Sequence, residues 1–430
     1  MIAPLLVPAA PLAGAALLLV LRSPTLGRWV ATIAAGASLT CAAFLPTQLG
    51  QDSLTLVDPL SVLFVVSIAA AGIAATLLPT ASHAPNRSQA LRLALLGLLQ
   101  LALLSNTLPV TWAALQLAAL ATALLLGQPG TTDARAASWR HLLITGTGLA
   151  IALFGIVVLA LSRGADSPDL TWTALAHTAP QLQATLLNLA FIFLLTGLAT
   201  AALLPLLSAR TEPHGPATAL LALATSTVAL VLILRMRHPL AANPHAIDPG
   251  PPIMALGLAT LLIATLSLTG QRDARRLFAL STTAQCGVAL FAIGLGGPGA
   301  AFAGLLHITL TLLSGSALAA CVARPASPTL AASLIAMAAL PPFGLFASTV
   351  LTLSETLRLH PWLALPLGTG IALTTWSLIA SLIASLTATA PTRRLPLIPA
   401  WIALALSALL GFAMPQPIAA WIAAAASTPP

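Results

Sequence analysis

Residues 334–353 read LIAMAALPPFGLFASTVLTL. The stretch carries no charge and is long enough to cross the ~30 Å hydrocarbon layer of a membrane as a helix, yet Pro341 and Pro342 stand in its middle. A proline removes a backbone donor and its ring collides with the preceding turn, so a pair of them ends a helix. Lipid offers no water to the carbonyls set free there. A broken spanning helix therefore survives only where other helices or a hydrated cavity cover the break. The stretch points to a many-helix membrane protein that keeps polar groups at mid-depth.

The rest of the chain has the same character. Of 430 residues, 58% are hydrophobic and 6% charged, with a mean hydropathy of +1.00. Soluble domains carry about a quarter charged residues, so this chain has too little charge to clothe a water-facing surface. Cutting at charges, Pro/Gly clusters and polar runs predicts an all-α integral membrane protein of about fourteen transmembrane helices. They lie near 2–21, 28–46, 58–78, 90–107, 109–127, 140–161, 182–207, 216–234, 251–269, 274–295, 298–322, 329–354, 361–387 and 396–414. Pro417–Ser427 is too short to span and is expected at the interface. The opening MIAPLLVPAAPLAGAALLLVLR lacks the basic start of a signal peptide and reads as the first span.

All 17 basic residues are arginines. They are scattered through loops rather than clustered, which gives nucleic-acid binding no support. With the loops numbered in order, the odd ones hold thirteen arginines and the even ones four, Arg163, Arg235, Arg237 and Arg358; six of the nine acidic residues lie in even loops. Positive charge collects on the cytoplasmic side. Both termini are thus expected to face away from the cytoplasm of a bacterial-type inner membrane. The three cysteines, Cys41, Cys286 and Cys321, lie far apart in apolar runs and read as small buried hydrophobes.

A second break interrupts FIFLLTGLATAALLPLLSAR (191–210) at Pro205. The two breaks fall in spans seven and twelve, five apart, and corresponding breaks in two halves are the sequence sign of a transporter built from internal repeats. The expected organisation is one polytopic domain: N-terminal helices over 1–89, a first five-helix repeat over 90–235, a second over 251–387, and a C-terminal helix with its interfacial tail over 388–430.

Five stretches carry a family resemblance: LSNTLPVTWAALQLAALATALLLG (104–127), FIFLLTGLATAALLP (191–205), GPATALLALATSTVALVLILR (215–235), QRDARRLFALSTTAQCGVALFAIGLGGPGAAFAGLLH (271–307) and ALPPFGLFASTVLTL (339–353). In order and spacing they resemble the antiporter-like, proton-translocating membrane subunits of complex I, of the Mrp antiporters and of energy-converting hydrogenases, those of hydrogenase-4 in particular. The resemblance implies fourteen spans, outward-facing termini and paired inverted repeats. It also implies a chain of buried ionisable side chains at mid-depth, since a charge kept inside a membrane is kept for function.

That chain is largely neutral here. By the family's pattern, Gln116 stands in place of a fifth-helix glutamate and Ala201 in place of a seventh-helix lysine. Thr227 takes the site of an eighth-helix lysine or asparagine, and Ala284-Gln285 that of a tenth-helix Glu-His pair. In the eleventh helix His307 survives while a later histidine and lysine are Thr311 and Gly315; in the twelfth the charged residue after FAS is Thr349. Arg235 remains, at what reads as a helix end. A codon bias against lysine does not account for this, because Arg275 and Arg276 keep the charge of the family's lysine-bearing loop.

Three readings follow. The chain is a non-pumping or weakly conducting membrane subunit of a complex I-like or hydrogenase-4-like oxidoreductase assembly, not catalytic alone, whose partners are membrane and peripheral subunits and the lipid bilayer. Alternatively it conducts protons or cations through His307, Gln116, Arg235, the hydroxyls of Thr200, Thr227, Thr309, Thr311 and Thr349, and water. As a third reading it partners a soluble zinc protein in inorganic-carbon uptake. His307 also fits a satisfied core histidine. Asp52 and Asp58 are expected to cap the third helix or lie outside it, and Arg272, Asp273, Arg275 and Arg276 to form a solvated loop. The GxGxxG match at Gly294–Gly299 lacks its strand–turn–helix context. No histidine spacing supports a metal, and no cofactor motif is present.

Overall fold

The computed structural model describes residues 3–78, 84–163, 169–203, 215–322, 328–386 and 398–427. The expected break at Pro205 lies outside them. The described residues form seventeen α-helices. Eleven are long and apolar enough to cross a membrane, or twelve if the bent pair at the C-terminal end counts as one span. A small hairpin, β1 (Gly50–Gln51) with β2 (Leu56–Val57), is the only sheet among these residues.

Much of the proline content sets helix starts, where a missing N–H is harmless and the fixed φ is already helical. Helix α2 (Pro24–Phe44), α3 (Pro59–Leu77), α4 (Pro85–Leu104), α5 (Leu108–Gly127) and α12 (Gly297–Cys321) all carry a proline in their first two positions. Side-chain oxygens of Ser23, Asp58, Thr131 and Thr171 cap α2, α3, α6 (Thr132–Ser162) and α7 (Trp172–Thr178), and Asp273 caps α11 (Ala274–Leu295). The turn between α11 and α12 rests on Gly296 and Gly297, whose φ values of 75° and 79° suit only glycine. The GxGxxG match is thus the end of one helix, a tight turn and the start of the next.

The chain forms two compact units. The first, Met1–Leu204 with Ala224–Pro249, holds α1 (Ala3–Val20) through α7, α8 (Ala184–Ala202) and most of α9 (Pro216–Ala242). In it α1 packs on α2 and α4, and α6 on α5 and α8. Small residues let the last pair approach closely, the usual device for helices that share lipid: a Cβ on Gly197 would lie 2.5 Å from the carbonyl oxygen of Gly148.

The second unit, Pro205–Leu223 with Gly250–Ser427, holds α10 (Gly250–Leu268), α11, α12, α13 (Pro328–Met337), α14 (Gly344–Leu359), α15 (Ala364–Leu386), α16 (Ile398–Phe412) and α17 (Gln416–Ser427). Its tightest pair is α10 with α11, where a Cβ on Gly257 would meet the Phe291 nitrogen at 2.4 Å. The spanning length of α11 is buried throughout. The run quoted at the outset becomes two helices, α13 and α14, separated by residues 338–343 with a cis Pro341–Pro342 bond and Ala339 at φ 52°. At the C-terminal end α16 and α17 bend by 83°.

Two helices outrun the sequence reading. α9 continues past residue 234 to Ala242, so Arg235 and Arg237 lie within a helix and not in a loop. α4 starts at Pro85 and takes in Arg92, which is buried and donates to the carbonyls of Ala75 and Leu78 at 3.1 and 3.2 Å. In α9 the cause is that an arginine after an apolar run reads as a boundary, but a buried carboxylate lets the helix carry it inward.

Candidate functional site

Two buried polar centres stand out, one in each unit. The first gathers on Arg235. The loop strand Ser105–Thr107 accepts Trp172 N–H at the Asn106 carbonyl (2.7 Å), and Asn106 N–H reaches the Leu54 carbonyl (3.0 Å). Asn243 Nδ2 ties the end of α9 to the carbonyls of Ala179 and Leu182 at 2.7 and 2.9 Å. These ties bring the start of α3, the end of α4 and the start of α7 around one point of α9. There Arg235, with no exposed surface, donates to Asp58 Oδ1 at 2.6 Å, to Ser61 Oγ at 2.5 Å and to the Leu103 carbonyl at 3.1 Å. Its guanidinium lies 6.0 Å from the centre of the Trp172 ring, within cation–π range.

Charge meets charge at this point, while Asp58 Oδ2 and Arg235 Nε are buried without a hydrogen-bond partner. Asp58 is the N-cap of α3, accepting from Ser61 N–H at 2.8 Å and holding the Ser61 hydroxyl in a short contact. A carboxylate there faces the positive end of α3, and the guanidinium faces the negative end of α4. Removing one member of such a pair typically destabilises by about 3–5 kcal/mol, because the other charge is left buried alone.

The second centre lies inside the second unit. His307, on α12, is fully buried; its Nδ1 sits 2.9 Å from Ser348 Oγ on α14 and its Nε2 3.0 Å from Gln285 Oε1 on α11. Gln285 Nε2 in turn donates to the Met337 carbonyl at 2.7 Å. Met337 is the last residue of α13, so its carbonyl is one of those freed by the break. The next, Ala338, accepts from Thr375 Oγ1 at 2.9 Å. Side chains of neighbouring helices thus satisfy the break, as lipid cannot.

The other sequence candidates are dispersed. Gln116 on α5 is half-buried and its Oε1 is enclosed without a hydrogen-bond partner. Thr200 donates to the Gly197 carbonyl at 2.7 Å and Thr309 to the Leu305 carbonyl at 2.9 Å, so both hydroxyls are spent on their own helices. Thr227 is buried in α9. Thr311 and Thr349 are buried on α12 and α14, and their hydroxyls have no partner. The ring of His307 turns instead to Gln285 and Ser348.

Sequence reading missed three things. Ser348 sits beside Thr349 and attracted no notice, though one residue along a helix turns a side chain by about 100°. Asp58 was legible as a cap but not as the partner of Arg235, which lies 177 residues away. His141 is a second buried histidine, 2% exposed and well inside α6. Among the described residues no three His, Cys, Asp or Glu side chains gather as a metal site would require.

Comparison with known proteins speaks to family and fold. A family model described as NADH:quinone oxidoreductase/Mrp antiporter, transmembrane, matches residues 105–327. A hydrogenase-4 component F homolog of Methylacidiphilum infernorum (isolate V4) is 36% identical over 320 residues, which cover 67% of each chain. A chain of the archaeal membrane-bound sulfane sulfur reductase superposes with a TM-score of 0.84 over 99% of this chain and 97% of its own, at 17% identity. A chain of respiratory complex I from Thermus thermophilus gives 0.84 over 98% of both, at 20% identity. These two likenesses are of fold.

Proposed function

The chain belongs to the NADH:quinone oxidoreductase/Mrp antiporter transmembrane family, and from that premise we propose that it is a structural membrane subunit of a complex I-like or hydrogenase-like assembly that carries little or no proton current itself. The observation that carries the reading is the state of the interior charges. Arg235 is closed on Asp58, Ser61 and the Leu103 carbonyl at the ends of two helices, while the relay positions hold Gln116, Ala201, Thr227, Gln285, Thr311, Gly315 and Thr349. A conducting path needs groups whose charge changes in turn. A closed ion pair and neutral side chains offer none, and His307 is left without an ionisable neighbour among its hydrogen-bond partners.

The proposal extends to organisation. The eleven long apolar helices, the short apolar α1, the broken pair α13–α14 and the bent pair α16–α17 make fourteen spans if each broken element is one crossing. Two inverted five-helix repeats then occupy 90–235 and 251–387, between N-terminal helices over 1–89 and a C-terminal part over 388–430, with both termini away from the cytoplasm of a bacterial-type inner membrane. The partners are other membrane and peripheral subunits; any redox cofactor belongs to them.

Purification of the tagged chain in mild detergent, with mass spectrometry of what accompanies it, tests the assembly. Recovery with hydrogenase-like or quinone-reductase subunits is expected; recovery alone, or with one large soluble zinc protein, refutes it. A second reading, proton conduction through His307 and water, draws support from the partnerless hydroxyls of Thr311 and Thr349. It requires that the chain in proteoliposomes conduct protons and that His307→Ala abolish the current.

A further inference from the structure

His307 has a partner on each ring nitrogen, and the chemistry of those partners fixes where its proton sits. The Met337 carbonyl only accepts, so the end of Gln285 that meets it at 2.7 Å is the NH2 group. The other end, Oε1, therefore faces His307 Nε2 at 3.0 Å, and a carbonyl oxygen also only accepts. Nε2 thus carries hydrogen whether the ring is neutral or charged. In the neutral ring Nδ1 is a bare lone pair facing the Ser348 hydroxyl at 2.9 Å. Ser348 can serve either state: its hydrogen points to Nδ1 when the ring is neutral, and to the Leu345 carbonyl, 3.1 Å away, when Nδ1 is itself protonated.

We infer that His307 is a one-sided proton site: a proton enters and leaves only at Nδ1, through Ser348, and Gln285 seals the Nε2 side. On loading, a hydronium gives its proton to Ser348 Oγ as the hydroxyl's own proton passes to Nδ1; water and an imidazolium result. Onward release from Nε2 would need Gln285 Oε1 to take a proton and its NH2 to surrender one to a backbone carbonyl. Amide oxygen and carbonyl are both far weaker bases than imidazole, so the path stops there.

The open side has a direction. Ser348, Thr352 and Thr356 recur every four residues of α14 and are fully buried. Thr352 and Thr356 donate to the carbonyls of Ser348 and Thr352, at 2.9 and 2.7 Å, which leaves their oxygens as acceptors along one face. The column leads to the end of α14 that carries Glu355 and Arg358, paired at 2.7 Å with the arginine exposed. The elements of this unit offer few other titratable groups: Arg275, Arg276 and Cys286 on α11 and Cys321 on α12, with none on α10, α13, α15, α16 or α17.

The inference deepens the weak-conduction reading and rests on it for its consequence, but the proton's position is testable alone. The full chain, labelled with 15N-histidine and held in lipid bilayers, gives ring-nitrogen NMR signals for His307 by comparison with His307→Gln. A neutral ring protonated on Nε2 is expected; one protonated on Nδ1 overturns the inference with the functional reading intact. In proteoliposomes under a pH step, Gln285→His replaces the seal with a ring that accepts and donates. Proton flux should rise roughly a hundredfold over the native chain, the lower end of what a positioned acid–base group contributes. A folded variant with native flux overturns the seal. If the native chain already conducts, loss of that current in His307→Ala overturns both ideas, whereas its persistence overturns the weak-conduction reading alone.

Discussion

The Arg235 and His307 centres bury polarity in opposite ways. At Arg235 a full charge is met by a full charge, at the N-cap of α3 and the last turn of α4, where two helix ends add their own partial charges. At His307 the groups are a ring, an amide and a hydroxyl in the middle of helices, and the amide is anchored on a carbonyl that a broken helix set free. The first arrangement is rigid because each charge makes the other tolerable. The second keeps one movable hydrogen, that of Ser348. Charge inside a membrane protein is therefore no guide to mobility: here the charged centre is the static one.

The comparison breaks first, if at all, at Asp58. Asp58→Ala leaves a guanidinium buried without its carboxylate and should lower stability by about 3–5 kcal/mol, read as a lower melting temperature of the detergent-solubilised chain. Adding Arg235→Met should recover part of the loss. An Asp58→Ala protein as stable as the native one would mean the pair is not the closed centre described.

Gln285 gives the next largest effect. Gln285→Leu takes one hydrogen bond from the Met337 carbonyl and one from His307 Nε2, and two hydrogen bonds between neutral groups at about 0.5–1.5 kcal/mol each come to about 1–3 kcal/mol. The matching loss at the neutral centre should thus be smaller than at the charged one. Equal losses in the two melts would erase the distinction between them.

Thr349 should do least. Its hydroxyl is buried and partnerless, so Thr349→Val removes an unsatisfied group of the same shape and should change stability by no more than roughly 0.5 kcal/mol, or raise it. A clear destabilisation would reveal a water bonded there, and with it support for the conducting reading. Ser348→Ala, which removes a real partner of His307, should fall between, at about 1 kcal/mol.

A good deal of this was legible in the chain. The apolar runs, the spacing of prolines and the family stretches sufficed for a many-helix membrane protein of this family, and α11 matches its expected 274–295 span at both ends. The cap at Asp58 was legible too, since a cap is a contact between near neighbours, whereas Asp273, expected in a solvated loop, caps α11. Legibility failed where a charge was paired at long range. Arg235 reads as a boundary because hydropathy counts a guanidinium as exposed, whereas it finds its acceptors on other helices.

By itself the sequence determined that the backbone must be helical, since in lipid each helix satisfies its own amides, and that the family's ionisable positions are mostly neutral. Those are properties of composition and local pattern. Only the tertiary structure decided that Arg235 faces Asp58 and that His307 lies between Gln285 and Ser348, because these contacts join residues 177, 22 and 41 positions apart. The hand of one amide, fixed by a carbonyl on a third helix, cannot be read from any stretch of the chain, yet it sets the side from which His307 can be reached.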